Sequence, residues 1–232
     1  MDRELRLAVL DALGELYKAG LVTGTSGNVS GRAGDLVVIK PSGVPYEKLQ
    51  LEDLVVVDLE GNVVEGNLRP SVDTLAHLEI YRALPDVGGI VHTHSVYATV
   101  FAVLGRELPV YTTELADLFG GPIPVSAFLP PGDRGIGQEF AQKTRPGRYR
   151  ALLMRSHGVF TAGTTPADAL KAALIVEHSA KVAYLAELLG TPNPIPPDEV
   201  RKLHQRYISE YGQRKESDGR VLCRGGYRNA GH

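Results

Sequence analysis

Two histidines, His92 and His94, close the short apolar run Gly88-Gly89-Ile90-Val91. In an extended chain residues i and i+2 point to the same side, so this pair can offer two imidazoles to one ion. A third histidine, His157, follows a similar run, Leu152-Leu153-Met154, and precedes Gly158, where backbone can approach closely. Zinc sites that do chemistry keep three protein ligands and one open position. The three histidines are therefore read as a divalent metal site. The other four, His77, His178, His204 and His232, are read as solvated or structural.

Other reactive residue types lie in turns and helix starts. Thr23-Gly24-Thr25-Ser26-Gly27-Asn28-Val29-Ser30 and Lys40-Pro41-Ser42-Gly43 are small, polar, glycine-bearing loops. Such loops can present backbone N–H groups, hydroxyls and a lysine to an anion. The same residues also make plain turns for conformational reasons alone. Asp73 falls in the first turn of a helix N-capped by Ser71, where the dipole favours a carboxylate; a base or a fourth metal ligand is the functional alternative. The segment 112–121 mixes Glu114 and Asp117 with two threonines and a glycine pair, and Asp117 is either a turn cap or a proton-transfer group.

These residues need elements to hold them. Leu5, Val9, Leu13, Leu16 and Tyr17 recur at helical spacing and Gly20 stops the helix. Leu36–Ile39 reads as a buried strand, 51–54 as a helical turn, and 55–59 with 62–65 as a hairpin. A helix from Ser71 ends before Pro85. Helices are expected over 96–104, 136–144, 165–189 and 198–211, and strands over 108–111, 122–128, 151–154 and 159–162. The helix from Pro166 carries a stripe of small residues (Ala169, Ala172, Ala173, Val176, Ala180, Ala183) suited to close packing on a sheet or a second subunit. Helices alternate with strands, yet two connections are too tight for an all-parallel sheet. The expected fold is α/β, three-layer α/β/α with a mainly antiparallel central sheet.

Composition sets the bounds. With 232 residues, 43% hydrophobic and 22% charged, the chain suits one large domain or at most two small ones. A formal net charge of −2 favours neither nucleic acid nor an anionic membrane as partner. The single cysteine, Cys223, rules out an intramolecular disulfide and fits a reducing, cytoplasmic setting. The first residues read as an amphipathic helix rather than a signal peptide, and no apolar run is long enough to span a bilayer.

Taken together, Gly27-Asn28-Val29-Ser30, Lys40-Pro41-Ser42-Gly43, Pro70-Ser71-Val72-Asp73, His92-Thr93-His94-Ser95 and Ser156-His157-Gly158 resemble, in order, the motifs of the class II aldolase/adducin family of sugar-phosphate enzymes. Within that family Asp73, the Ile39–Gly43 turn and Ala116-Asp117-Leu118-Phe119-Gly120-Gly121 are similar to the L-ribulose-5-phosphate 4-epimerases rather than the L-fuculose-1-phosphate aldolases. The resemblance implies a domain over 1–213 and a polar tail over 214–232. It implies Zn2+, or another divalent ion such as Mn2+ or Co2+, on His92, His94 and His157. It implies a substrate phosphate held by Asn28, Lys40, Ser42, Gly43 and Ser71, and catalytic roles for Asp73, Asp117 and Tyr211, with Thr113 close to Asp117. Asp117 and Tyr211 would act in the active site of a neighbouring subunit of a homotetramer. The reaction expected is retro-aldol cleavage through an enediolate, followed by re-formation of the bond on the other face. The alternative is an aldolase that cleaves L-fuculose 1-phosphate, or a related sugar phosphate, to dihydroxyacetone phosphate and an aldehyde; a non-catalytic adducin-like binding protein is the third reading. The chain departs from the family pattern at Val72, where a second serine is usual, at Leu115, where the epimerases have histidine, and in its extension past Tyr211-Gly212-Gln213.

Overall fold

The structure, a computed structural model, describes residues 3–211. Seven strands form one sheet: β1 (Asn28–Ala33), β2 (Leu36–Ile39), β3 (Val55–Asp58), β4 (Val63–Glu65), β5 (Gly89–Thr93), β6 (Tyr149–Met154) and β7 (Gly158–Gly163). Their order is β4-β3-β2-β1-β5-β7-β6 and every pairing is antiparallel. Seven helices accompany them among the described residues: α1 (Arg3–Lys18), α2 (Thr74–Ala83), α3 (Val96–Leu104), α4 (Thr113–Phe119), α5 (Arg134–Lys143), α6 (Pro166–Leu189) and α7 (Pro197–Glu210).

Both faces of the sheet are covered, which is why the strands read as unbroken apolar runs instead of alternating. Val37, Ile39, Val55, Val57 and Ile90 pack with Ala76, Ile80, Ile136 and Phe140 of α2 and α5. Val29, Val38, Val56 and Val91, with the opposite parity, pack with Val9, Leu13 and Leu16 of α1 and Ala169 and Ala173 of α6. A third cluster joins Ala151, Leu153 and Val159 to α3, α4, α6 and Val200 of α7. The result is the expected three-layer α/β/α arrangement.

Three local expectations fail. Residues 108–111 and 122–128 are not strands; they make only the isolated bridges Leu108↔Ile123 and Val125↔Leu153. Pro109, Pro122 and Pro124 remove ladder donors there. The segment between them, which the sequence pattern assigns to no element, holds α4: Thr112 caps it through Leu115 N–H, and Gly120 closes it at φ 63°. Ser71 is not the cap of α2. Asp73 holds that position, and Ser71 Oγ accepts from Asp73 N–H just ahead of the helix.

The register places the site. Asn28 pairs with His92 across β1 and β5, and Phe160 pairs with His92 across β5 and β7. Close contact between strands is needed where the histidines meet. A Cβ at Gly158 would fall inside contact distance of the Thr93 carbonyl oxygen, so only glycine fits.

Candidate active site

His92 ends β5 fully buried and stacks on Phe160, with ring centroids 4.3 Å apart. Its Nδ1 lies 3.0 Å from the Val159 carbonyl oxygen, which can only accept, so Nδ1 carries the proton and Nε2 is bare. That bare nitrogen lies 3.0 Å from Nε2 of His94. The β6–β7 turn, in which Ser156 takes φ 57°, brings His157 in from the other side. Its ring centroid is 4.7 Å from that of His92 and 5.0 Å from that of His94. One nitrogen from each of the three rings lies within 4.8 Å of the others. Burial pushes His92 down to about 3 despite the opposing pull of Asp73, and burial also lowers His94 and His157. Neutral imidazoles with converging lone pairs are what a divalent cation requires. His157 Nδ1 is buried without a partner, as is Asp73 Oδ1. The donor set thus fits a metal ion.

Asp73 sits beside this cluster, with Oδ2 3.9 Å from His92 Nε2. Burial pushes its carboxyl up, but His92, His77 and the Asn28 hydrogen bond outweigh that and hold it below the usual carboxylate range. Asn28 Nδ2 donates to Asp73 Oδ2 at 2.8 Å and to Ser71 Oγ at 2.9 Å. The turn after β2 is tied to the same place: Ser42 N–H donates to the Arg69 carbonyl and Ser71 N–H to the Lys40 carbonyl. Lys40 is 1% exposed, and its Nζ has only two long hydrogen bonds, 3.3 Å each, to the carbonyls of Thr25 and Pro41. Burial lowers its ammonium. A buried cation with weak neutral partners is left without a counter-charge by those two carbonyls. Ser42 and Gly43 are exposed at the tip of that turn, and Val72 is 67% exposed next to Ser71. The five residues read as phosphate ligands thus lie at the start of β1, on the turn after β2 and just ahead of α2, three places tied to one another by hydrogen bonds.

Asp117 and Tyr211 come together elsewhere. They line one recess with Arg206, Tyr207 and Glu210, between α4 and the end of α7. Asp117 Oδ1 is buried without a partner and burial raises its carboxyl. Thr113 is exposed at the start of α4. Because α4 belongs to the α6 layer and α2 to the opposite one, this recess and Asp73 lie on different sides of the sheet. Three features escape the sequence reading. Phe160 backs His92. Ser30 Oγ bonds both His77 Nδ1 (2.7 Å) and the Tyr81 hydroxyl (2.8 Å). His204 Nδ1 donates to the Asp117 carbonyl at 2.7 Å, so His204 is structural, while His178 is exposed. Only the alternation of Phe160 with Ala162 signals the first, and nothing local signals the others, which join residues far apart in sequence. His232, Cys223 and the segment 214–232 lie outside the described residues.

The family described as Class II Aldolase and Adducin N-terminal domain matches residues 8–184. The chain belongs to that family. Among its relatives, L-ribulose-5-phosphate 4-epimerase UlaF of Salmonella paratyphi C (strain RKS4594) is 37% identical over 223 residues, covering 90% of this chain and 96% of the relative. The solved structure of an L-fuculose 1-phosphate aldolase superposes with a TM-score of 0.84 at 28% identity, covering 90% of this chain and 98% of the other. The L-fuculose-1-phosphate aldolase from Thermus thermophilus gives a TM-score of 0.70 at 28% identity, covering 81% and 97%. The protein is thus an enzyme of the class II aldolase and epimerase group, and its fold is theirs.

Proposed function

We propose that this enzyme is a metal-dependent sugar-phosphate 4-epimerase acting on L-ribulose 5-phosphate or a close relative. The convergence of His92, His94 and His157 beside the anion-ready Lys40 and Ser71 carries the reading, and the 37% identity to an epimerase supports it. His92, His94 and His157 hold the ion, with Zn2+ first in expectation and Mn2+ or Co2+ as alternatives. When bound, such an ion supplies Lewis-acid stabilisation of the charge that develops on the substrate's ketone and hydroxyl oxygens as the carbon–carbon bond breaks. Asn28, Lys40, Ser42, Gly43 and Ser71 bind the phosphate and fix the sugar's register. Asp73 accepts hydrogen bonds at the buried end of the site. Asp117 takes or returns the proton of the hydroxyl on the carbon that inverts, and Tyr211 does so on the opposite face. Phe160 and the packed strand ends exclude water from His92.

An aldolase reading keeps the same residues but lets the aldehyde leave, and the TM-score of 0.84 to an L-fuculose 1-phosphate aldolase favours it. The deciding experiment incubates the metal-loaded protein with L-ribulose 5-phosphate and, separately, with L-fuculose 1-phosphate and follows products by NMR. Appearance of D-xylulose 5-phosphate without free aldehyde is the expected result. Dihydroxyacetone phosphate as the main product would assign an aldolase instead.

We also propose that residues 1–213 form the catalytic domain, followed by a tail over 214–232, and that the enzyme works as a cytoplasmic homotetramer with active sites between subunits. No helix among the described residues is long and apolar enough to cross a membrane.

A further inference from the structure

Tyr211 stands at the end of α7, where a helix has lost its flanking hydrogen bonds and its last turn frays. It is 71% exposed, and its backbone tie to the helix is N–H to the Tyr207 carbonyl at 3.2 Å. A phenol in that position needs an outside anchor to act on one atom of a substrate. The anchor comes from α6. Lys171 Nζ donates to the Tyr207 hydroxyl at 2.7 Å. The same ammonium lies 5.4 Å from the Tyr207 ring centroid, 5.6 Å from that of Tyr211 and 5.7 Å from that of Tyr149. Tyr207 and Tyr211, one turn apart, stack at 4.6 Å with 25° between their planes, and Tyr149 of β6 tilts against Tyr207 at 6.5 Å. The Tyr207 distances place the ammonium beyond the hydroxyl end of that ring, so Tyr207 holds it by the hydrogen bond, while the faces of Tyr211 and Tyr149 attract it through the ring quadrupole.

We infer that Lys171 is the positioning residue of Tyr211: it pins Tyr207, on which Tyr211 stacks, by a hydrogen bond and the Tyr211 ring by cation–π contact, and so holds the Tyr211 phenol at the mouth of the recess that Asp117 lines. The inference rests on the role proposed above for Tyr211. A lysine here serves no ion pair among the described residues, and its stem could be replaced without opening the core, because α6 packs on the sheet through Ala169, Ala172 and Ala173 instead. Positional error of about 1 Å in a reacting group can cost on the order of a hundredfold in rate, which is the scale at stake.

The test is a double-mutant cycle on the metal-loaded full chain, using the sugar phosphate that it turns over. Lys171→Met is expected to lower kcat about ten- to hundredfold with KM within about twofold. Lys171→Arg keeps a cation over the rings and is expected to restore most of the rate. In a Tyr211→Phe background Lys171→Met should cost nothing further, since it acts only through that phenol. A substrate-free readout accompanies this. With 3-fluorotyrosine in place of the ten tyrosines, the 19F signal that Tyr211→Phe removes should narrow and move toward free tyrosine in Lys171→Met, and return in Lys171→Arg. Additive losses in the cycle, or an unmoved Tyr211 signal, overturn the positioning role while leaving Tyr211 itself in place. Full turnover by Tyr211→Phe alone would instead remove Tyr211 from the reaction and the positioning role with it. Should Lys171→Met fold poorly by thermal melt, Tyr207→Phe, which deletes only the hydroxyl that Lys171 holds, gives the same comparison.

Discussion

Single residues divide the site's work by charge state. His92 illustrates how: the Val159 carbonyl fixes its tautomer, Phe160 fixes its plane, and burial keeps it neutral. Replacing it by alanine removes one of three ligands, so the expected result is loss of the ion on dialysis and a fall well below one metal per subunit by elemental analysis. Full occupancy in His92→Ala would dismiss the three-histidine assignment. Asp117 is the opposite case, a carboxylate with an unpartnered oxygen that burial pushes up and which is therefore easier to protonate. Asp117→Asn keeps the shape but not the proton acceptor. A drop of about 10²–10⁴-fold in turnover is expected, with metal content and melting temperature unchanged; wild-type turnover would shift preference toward an aldolase. Both residues are legible in the sequence, since a His-x-His pair after an apolar run and an acid before two glycines are visible without a fold. The orphaned oxygen and the fixed tautomer are not, because their causes sit 67 residues away or in no neighbour at all.

At the scale of elements, β1 and α2 are clamped by a buried polar chain. Ser30 of β1 bonds His77 and Tyr81 of α2, all of them fully buried. His77 Nε2 has no partner, so a proton there would be buried without an acceptor. Burial accordingly pushes His77 from the ordinary 6.5 down to about 4. Below pH 6.5 the unfolded chain takes up a proton that the folded chain refuses until about pH 4, so stability is intact above 6.5 and falls as pH drops toward 4. The loss is on the order of 3 kcal/mol across that window. Melting temperature against pH should therefore be steeper in the wild type than in His77→Asn, and equal slopes would clear His77 of the effect. The sequence is a coarse guide here. It places His77 among solvated or structural histidines, and periodicity finds α2, but the contact between Ser30 and His77 spans 47 residues and only the sheet creates it. The two strands wrongly expected at 108–111 and 122–128 fail for a different reason. Their apolar content suggests strands, while Pro109, Pro122 and Pro124 lack the donors that a ladder needs. The hairpin of β3 and β4 forms as expected because its turn chemistry and its apolar run agree.

For the whole molecule the decisive fact is separation. The histidines, Asp73 and Asn28 occupy the strand ends beneath α2, whereas Asp117 and Tyr211 line a recess in the layer of α4, α6 and α7. The small-residue stripe of α6 does not supply the subunit contact, because Ala169, Ala172, Ala173, Val176, Ala180 and Ala183 are already buried against the chain's own sheet and helices. Exposed apolar residues do remain at other places, among them Val96, Val103 and Leu104 on α3 and Leu185, Leu188 and Leu189 at the end of α6, and these are the natural candidates for burial between copies. If one chain's histidines work with the next chain's Asp117, two inactive variants must rescue each other. A ring in which His92→Ala and Asp117→Asn subunits mix at random contains sites built from an intact histidine set and an intact neighbouring Asp117 at about one position in four. Co-refolding the two variants in equal amounts should therefore restore about a quarter of wild-type turnover, while each alone stays near background. Sedimentation of the same samples should show one oligomeric species throughout. Recovery absent from a properly mixed oligomer would mean that each chain completes its own site, and the recess between α4 and α7 would then have to be reached from within the subunit.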